Sequence, residues 1–214
     1  MDTTGTPNDG SDDTRADIMA ATYRALCRHG YAALTMQAIA DEFEKSKALL
    51  HYHYDTKQDL LVAFLEYLLE QFEDRITIEE VDGPADRLDA FIDVLLFGRT
   101  DGQPPDSDHW EFHTALLEIR AQAPYQDAYR DQLTRNYDAV EESLIAIIDQ
   151  GIDAGAFTDA DPEATAALIL AAINGARLHQ VSLDRDDLPQ TTRQALDEQV
   201  IEPLRTTDGS EEDG

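Results

Sequence analysis

The polar side chains between Thr35 and Lys57, in the stretch TMQAIADEFEKSKALLHYHYDTK, could act on another molecule by hydrogen bonding, not by making or breaking bonds. Lys47 offers ammonium donors, Gln37 an amide that both donates and accepts, and His51 an imidazole. Ala48 and Leu49 add apolar groups beside them. Such a set suits base edges in a DNA major groove: lysine for guanine acceptors, glutamine for adenine, small apolar groups for a thymine methyl. Thr35, Tyr52 and Lys57 fall at helix ends or on an outer face, where hydroxyls and an ammonium reach phosphates and position without specifying. No nucleophile paired with a base, glycine-rich phosphate loop or convincing metal triad is visible, so neither an enzyme nor a cofactor is expected.

Presenting these groups requires two short helices joined by a tight turn. Thr35 is a good N-cap, and Ala38, Ile39 and Phe43 follow it at helical spacing to give the first helix one apolar side. After the turn Glu44-Lys45-Ser46, Leu50 alone reads as firmly buried, and His53 is expected to pack between helices. A helix so short needs its neighbour as a brace, which is the helix-turn-helix arrangement.

Charge supports that reading through its distribution. The chain carries −29 overall, which taken alone argues against nucleic acid. Between Thr14 and Leu61, however, six basic residues (Arg15, Arg24, Arg28, Lys45, Lys47, Lys57) balance six acidic ones (Asp17, Asp41, Glu42, Glu44, Asp55, Asp59), so the remainder carries the whole excess. All three lysines lie in the turn, the second helix and the start of the next. The abundance of Asp and scarcity of Lys resemble the cytoplasmic proteins of salt-accumulating halophiles.

The run Thr35-x-x-x-Ile39-Ala40, then Ser46-Lys47-x-x-Leu50-His51-Tyr52-His53-Tyr54, then Lys57 and Leu60-Leu61, resembles the DNA-binding domain of the TetR/AcrR family of transcriptional regulators. Ile18, Ala21 and Leu26, followed by Gly30-Tyr31 and Leu34-Thr35, match that family's first helix and its exit. The resemblance covers about a quarter of the chain. It departs at the turn, where Glu44 and Lys45 replace the usual glycine and apolar residue. It implies an all-α chain of about nine helices: a head over 14–58 and a ligand-binding and dimerisation body over 59–206. It also implies a homodimer on a palindromic double-stranded DNA operator, a repressor released by a small-molecule effector, with activation left open. Its DNA-contacting residues would be Arg15, Thr35, Gln37, Lys45, Ser46, Lys47, Ala48, Leu49, His51, Tyr52 and Lys57. An acidic helical scaffold with a degenerate helix-turn-helix is the alternative, motivated by the departure at the turn.

The body reads as helix after helix. Leu60, Leu61, Phe64, Leu65, Leu68 and Phe72 make a wide stripe on a connecting helix, Pro84 opens the next, and Trp110 sits on a helix apolar on two sides. That tryptophan helix, followed by Pro124-Tyr125 and Tyr129, resembles the body of choline-sensing repressors of betaine synthesis. Tyr67, Phe91, Trp110, His113, Leu117, Tyr137 and Asn174 are candidate pocket residues, each equally readable as core. His109 and His113 have the spacing of a two-histidine metal site but lack a third ligand, so no metal is expected. Cys27 is expected to be packed and inert. Ala164, Ala167, Ala171 and Gly175 form a small-residue ridge, and the family's four-helix dimer contact would take them with Leu178, Leu196 and Val200. The ridge packing inside one subunit is the other reading. Residues 1–13 and 207–214 are too polar to bury anything and are expected to be disordered. No stretch has the roughly 20 apolar residues of a membrane span, and with no signal pattern visible a cytoplasmic protein is expected.

Overall fold

The computed structural model describes residues 9–43, 47–78, 83–98, 107–183 and 185–206. These residues form nine helical runs and no strand: α1 (Asp9–Ala33), α2 (Met36–Glu42), α3 (Lys47–His53), α4 (Lys57–Ile78), α5 (Pro84–Phe97), α6 (Ser107–Gln122), α7 (Asp127–Asp153), α8 (Pro162–Leu183) and α9 (Leu188–Leu196). The last continues through a π-helical turn (Asp197–Ile201) and a final α-helical turn (Glu202–Leu204). The all-α architecture is the expected one. One start differs from expectation. α1 is already helical at Asp9, inside the segment expected to be a disordered tail, while residues 1–8 and 207–214 lie outside the described residues. α7 begins at Asp127, because Pro124 lies in a turn closed by Tyr125 N–H donating to the Gln122 carbonyl at 2.9 Å.

The chain divides into two compact units, Met1–Glu73 with Glu111–Thr134, and Asp74–Trp110 with Arg135–Gly214. The division expected after residue 58 is not where the first unit ends, since Leu60, Leu61, Phe64 and Leu65 of α4 are wholly buried in its core. They pack with Ile18, Met19, Leu26, Ile39 and Leu50 from α1 to α3, and with Ala115, Ile119 and Tyr129 from α6 and α7. Each large apolar side chain so buried contributes about 1.5–3 kcal/mol.

Helical geometry breaks in α1 at Gly30 (φ 66°, ψ 170°), a conformation open in practice to glycine alone. A Cβ there would stand 3.1 Å from a carboxylate oxygen of Glu118. The break leaves the Tyr31 N–H without a helical acceptor, and Glu118 Oε2 accepts from it at 2.6 Å. At the start of α4, Thr56 and Asp59 form a reciprocal cap: the Thr56 N–H and hydroxyl donate to Asp59, and the Asp59 N–H donates to the Thr56 hydroxyl.

In the second unit α9 packs on α5 and α8. The buried residues of this run are Pro189, Leu196, Ile201 and Leu204, and the dimer candidate Val200 is not among them. The π turn is the reason: the Glu202 N–H reaches back to the Asp197 carbonyl, so one extra residue fits between inward positions and Val200 is only half-buried. Gly151 on α7 lets the Phe157 ring lie against the helix, since a Cβ would come within 1.9 Å of it. Beyond the ring, Thr158 N–H donates to the Leu204 carbonyl (2.7 Å) and Thr206 N–H to the Ala156 carbonyl (3.0 Å), strapping down the end of the α9 run.

Arg193 on α9 is the polar anchor of this unit. Its side chain is 12% exposed and donates to Asp93 at 2.6 Å, to Asp89 at 2.8 Å and to Asp197. Arg205 adds a second bond to Asp89. Burial pushes the Asp93 carboxyl above its ordinary pKa, and Arg193 opposes that shift. Arg193→Ala would take this guanidinium from Asp93 and Asp197, leave Asp89 with Arg205 alone, and lower the unfolding free energy by about 3 kcal/mol near neutral pH. Without the guanidinium the Asp93 carboxyl, already raised by burial, rises further above its unfolded pKa and widens the pH range between the two. The penalty is therefore full above that range and shrinks as pH falls through it. Urea titrations at fixed potassium chloride across pH 4 to 7.5 measure both the loss and its slope.

Candidate nucleic-acid interface

Thr35 holds the entry to α2. It is the N-cap, with extended backbone (φ −132°, ψ 160°), and its hydroxyl accepts from the Ala38 N–H at 3.0 Å. At the other end of α2, Arg24 of α1 donates to the Glu42 carbonyl at 2.8 Å, and Arg24 and Arg28 both face the Glu42 carboxylate. An arginine on a last-turn carbonyl satisfies a group the helix cannot, and complements its dipole. Ile39 and Leu50, both wholly buried, turn the apolar sides of α2 and α3 into the first unit.

What remains outward is close to the set expected from sequence. Thr35, Gln37, Lys47, Ala48, His51 and Tyr52 are all exposed, Tyr52 by 83%. Lys47 Nζ donates to Gln37 Oε1, and Gln37 Nε2 donates to Asp41 Oδ1 at 2.6 Å, so α2 and α3 are also joined across the polar face. Two residues differ from expectation. Leu49 is half-buried against the core, because α3 spans two turns and needs more than Leu50 to seat it. His53 is exposed, not packed between helices, and lies edge-on to the Tyr52 ring at 5.4 Å. Lys45 and Ser46 lie outside the described residues.

The outlying cations are already engaged. Lys57 Nζ donates to the Tyr31 carbonyl at 3.3 Å and stands 4.4 Å from the centre of the Tyr31 ring, and burial lowers its pKa. Arg15 grips Glu70 with two bonds, at 2.8 and 3.0 Å, and lies 3.7 Å from Glu66; the Glu70 bond raises its pKa. Burial raises the pKa of Tyr54 nearby, against the opposing effect of Arg15. Sequence reading missed Glu42, Asp41 and Glu118 as partners. Only Asp41 left a signal, standing four residues after Gln37 on one helix.

The seven pocket candidates are divided between the units: Tyr67, His113 and Leu117 in the first, Phe91, Trp110, Tyr137 and Asn174 in the second. Phe91 is 2% exposed within the α5 core, and Tyr137 is 42% exposed on α7. His109 meets the Trp110 ring edge-on at 4.7 Å, and among the described residues no group of three or more His, Cys, Asp or Glu could hold a metal ion. Of the dimer candidates, Ala164, Ala167, Ala171 and Leu178 are exposed on one side of α8, and a Cβ on Gly175 would meet nothing within 4 Å. Leu196 instead turns into its own unit, 4% exposed. Among the described residues no helix is long and apolar enough to cross a membrane.

Residues 18–64 match the sequence model described as bacterial regulatory proteins of the tetR family, and residues 84–202 that of the BetI-type transcriptional repressor C-terminal domain. The fold is similar to the crystal structure of a TetR transcription regulator from Haloarcula marismortui, with 45% identity, TM-score 0.79, and coverage of 91% of this chain and 100% of that one. It is similar also to a regulator from Saccharomonospora viridis solved in complex with choline (23% identity, TM-score 0.74, coverage 92% and 100%). A TetR-family regulator from Cytophaga hutchinsonii is a third (19%, TM-score 0.74, coverage 94% and 100%). At those two lower identities the likeness is one of fold.

The different engagement of the two lysines separates their roles. Lys57→Ala removes a bond to a backbone carbonyl and a cation over a ring, and should lower the unfolding free energy by about 1 kcal/mol. Lys47→Ala, on the exposed face, should change it by less than about 0.5 kcal/mol. Urea titration of the two variants beside the wild type checks this.

Proposed function

Since the chain belongs to the TetR family of transcriptional regulators and carries a BetI-type C-terminal domain, we propose that it represses transcription by binding a palindromic operator as a homodimer and is released by a small molecule. The observation that carries the DNA reading is the outward face of Gln37, Lys47, Ala48, His51 and Tyr52, seated by Leu50 beneath and by the Thr35 cap at its edge. Lys47, with Gln37 beside it, is the main base reader, and Thr35 and Tyr52 place hydroxyls for phosphates. Dimerisation is supported by the α8 stripe of Ala164, Ala167, Leu168, Ala171, Gly175 and Leu178, apolar or small at steps of three and four and uncovered in the single chain. Small residues let a second helix approach closely, and two heads read two half-sites where one seven-residue helix reads too little. A quaternary ammonium compound is the first effector class to test, on the strength of the BetI-type domain and the choline bound by the Saccharomonospora protein.

Arg15, Arg24, Arg28 and Lys57 already hold protein partners, so few cations remain to displace counterions from DNA. The logarithm of affinity should therefore fall against the logarithm of salt with a slope no steeper than about −4 for a dimer. That suits a cytoplasm rich in potassium chloride, which the acidic composition supports.

Selection of bound sequences from a random duplex pool at moderate and molar potassium chloride, with the mass measured in solution, tests the reading. A palindromic site and a mass of two chains are expected; no enrichment at either salt would favour the acidic scaffold. Ala171→Arg, which puts a charge in the middle of the α8 stripe, should yield a helical monomer by sedimentation, weaken operator binding more than a hundredfold, and melt at a temperature that no longer depends on protein concentration.

A further inference from the structure

We infer that Asp41 is a positioning residue for base recognition: it fixes the Gln37 amide so that the amide oxygen steadies Lys47, making the three side chains one reading unit. This rests on the DNA-binding reading above. Asp41 follows Gln37 by one turn of α2 and accepts from Gln37 Nε2 at 2.6 Å, while Gln37 Oε1 accepts from Lys47 Nζ on α3. A carboxylate can only accept and an ammonium can only donate. Turning the Gln37 amide over would set oxygen against oxygen and nitrogen against nitrogen, so the two partners together allow one orientation. In that orientation one Gln37 N–H and one face of its oxygen are occupied, which weakens Gln37 as an independent reader of adenine. Lys47 keeps two N–H donors, enough for the O6 and N7 acceptors of a guanine. All three side chains are exposed, so water competes with the relay until a duplex covers it.

Asp41 also brings a negative charge toward phosphates, and that second effect can be separated from the first. Asp41→Asn and Asp41→Ala remove the same charge, so both should bind random duplex more tightly than the wild type and to the same extent. Asparagine still offers Gln37 an oxygen; alanine does not. Selection with full-length wild type and both variants, alongside Lys47→Ala to mark the base pair that Lys47 reads, should show a guanine there for wild type and Asp41→Asn. With Asp41→Ala that preference should fall about tenfold, part of what one well-placed pair supplies. Equal preference from the alanine and asparagine variants would overturn the inference and leave the DNA reading intact. Adenine at the marked position would overturn it too. If the wild-type protein enriches no sequence, the DNA-binding reading falls and this one with it.

Discussion

One backbone hydrogen bond fixes much of the first unit. Where α1 breaks at Gly30, the Tyr31 N–H loses its helical acceptor, and a buried, unpaired N–H costs about 1–3 kcal/mol. Glu118, 87 residues further on, accepts from it at 2.6 Å. Around that point the Tyr31 carbonyl receives both Lys57 Nζ and the Leu34 N–H, and the Tyr31 ring lies edge-on to Tyr129, whose hydroxyl pKa is raised by burial. The exit of α1, the start of α4, and α6 and α7 therefore meet on one residue. The segment leaving it leads within four residues to the Thr35 cap, so the entry to α2 inherits its position from the break.

Charge pairing follows the same economy. In a chain of −29 a cation is scarce, and most cations of the head are assigned to carboxylates or carbonyls of the protein itself. Arg24 and Arg28 clamp Glu42, holding α2 on α1, and Arg15 ties α1 to α4 through Glu70. The second unit repeats the pattern with Arg193 among three aspartates. Partly buried pairs are screened less by salt than exposed ones, so they keep their value where free surface pairs lose most of theirs.

Features legible in the sequence are those decided within a few residues. The Thr35 cap depends on one hydroxyl and an N–H three residues on, and Lys57 and Pro84 open helices where local signals placed them. The outward face of α2 and α3 was legible because a short helix with one wholly buried residue, Ile39 or Leu50, has nowhere else to put its polar ones. Partner choice was not. Arg15 and Lys57 look like phosphate ligands by type, but their acceptors stand 55 and 26 residues away and exist only once the chain has folded. Arg193 finds Asp93 at a separation of 100. The pocket candidates show the same limit from the apolar side, since an aromatic at helical spacing says that a face is buried and not what it encloses.

The π turn in α9 has a consequence for how this chain tolerates changes in length. Each residue of a helix advances the facing direction by roughly 100°, so the extra residue between Leu196 and Ile201 rotates all that follows. That rotation brings Leu204 inward, and it sets Arg205 opposite Phe157 in the bridge that closes the strap. Removing one residue from 197–200 would restore a regular helix and gain local hydrogen bonding. It would also swing the end of the run away from Ala156 and Thr158, so the irregular turn works as a register key, trading helical perfection for closure of the second unit.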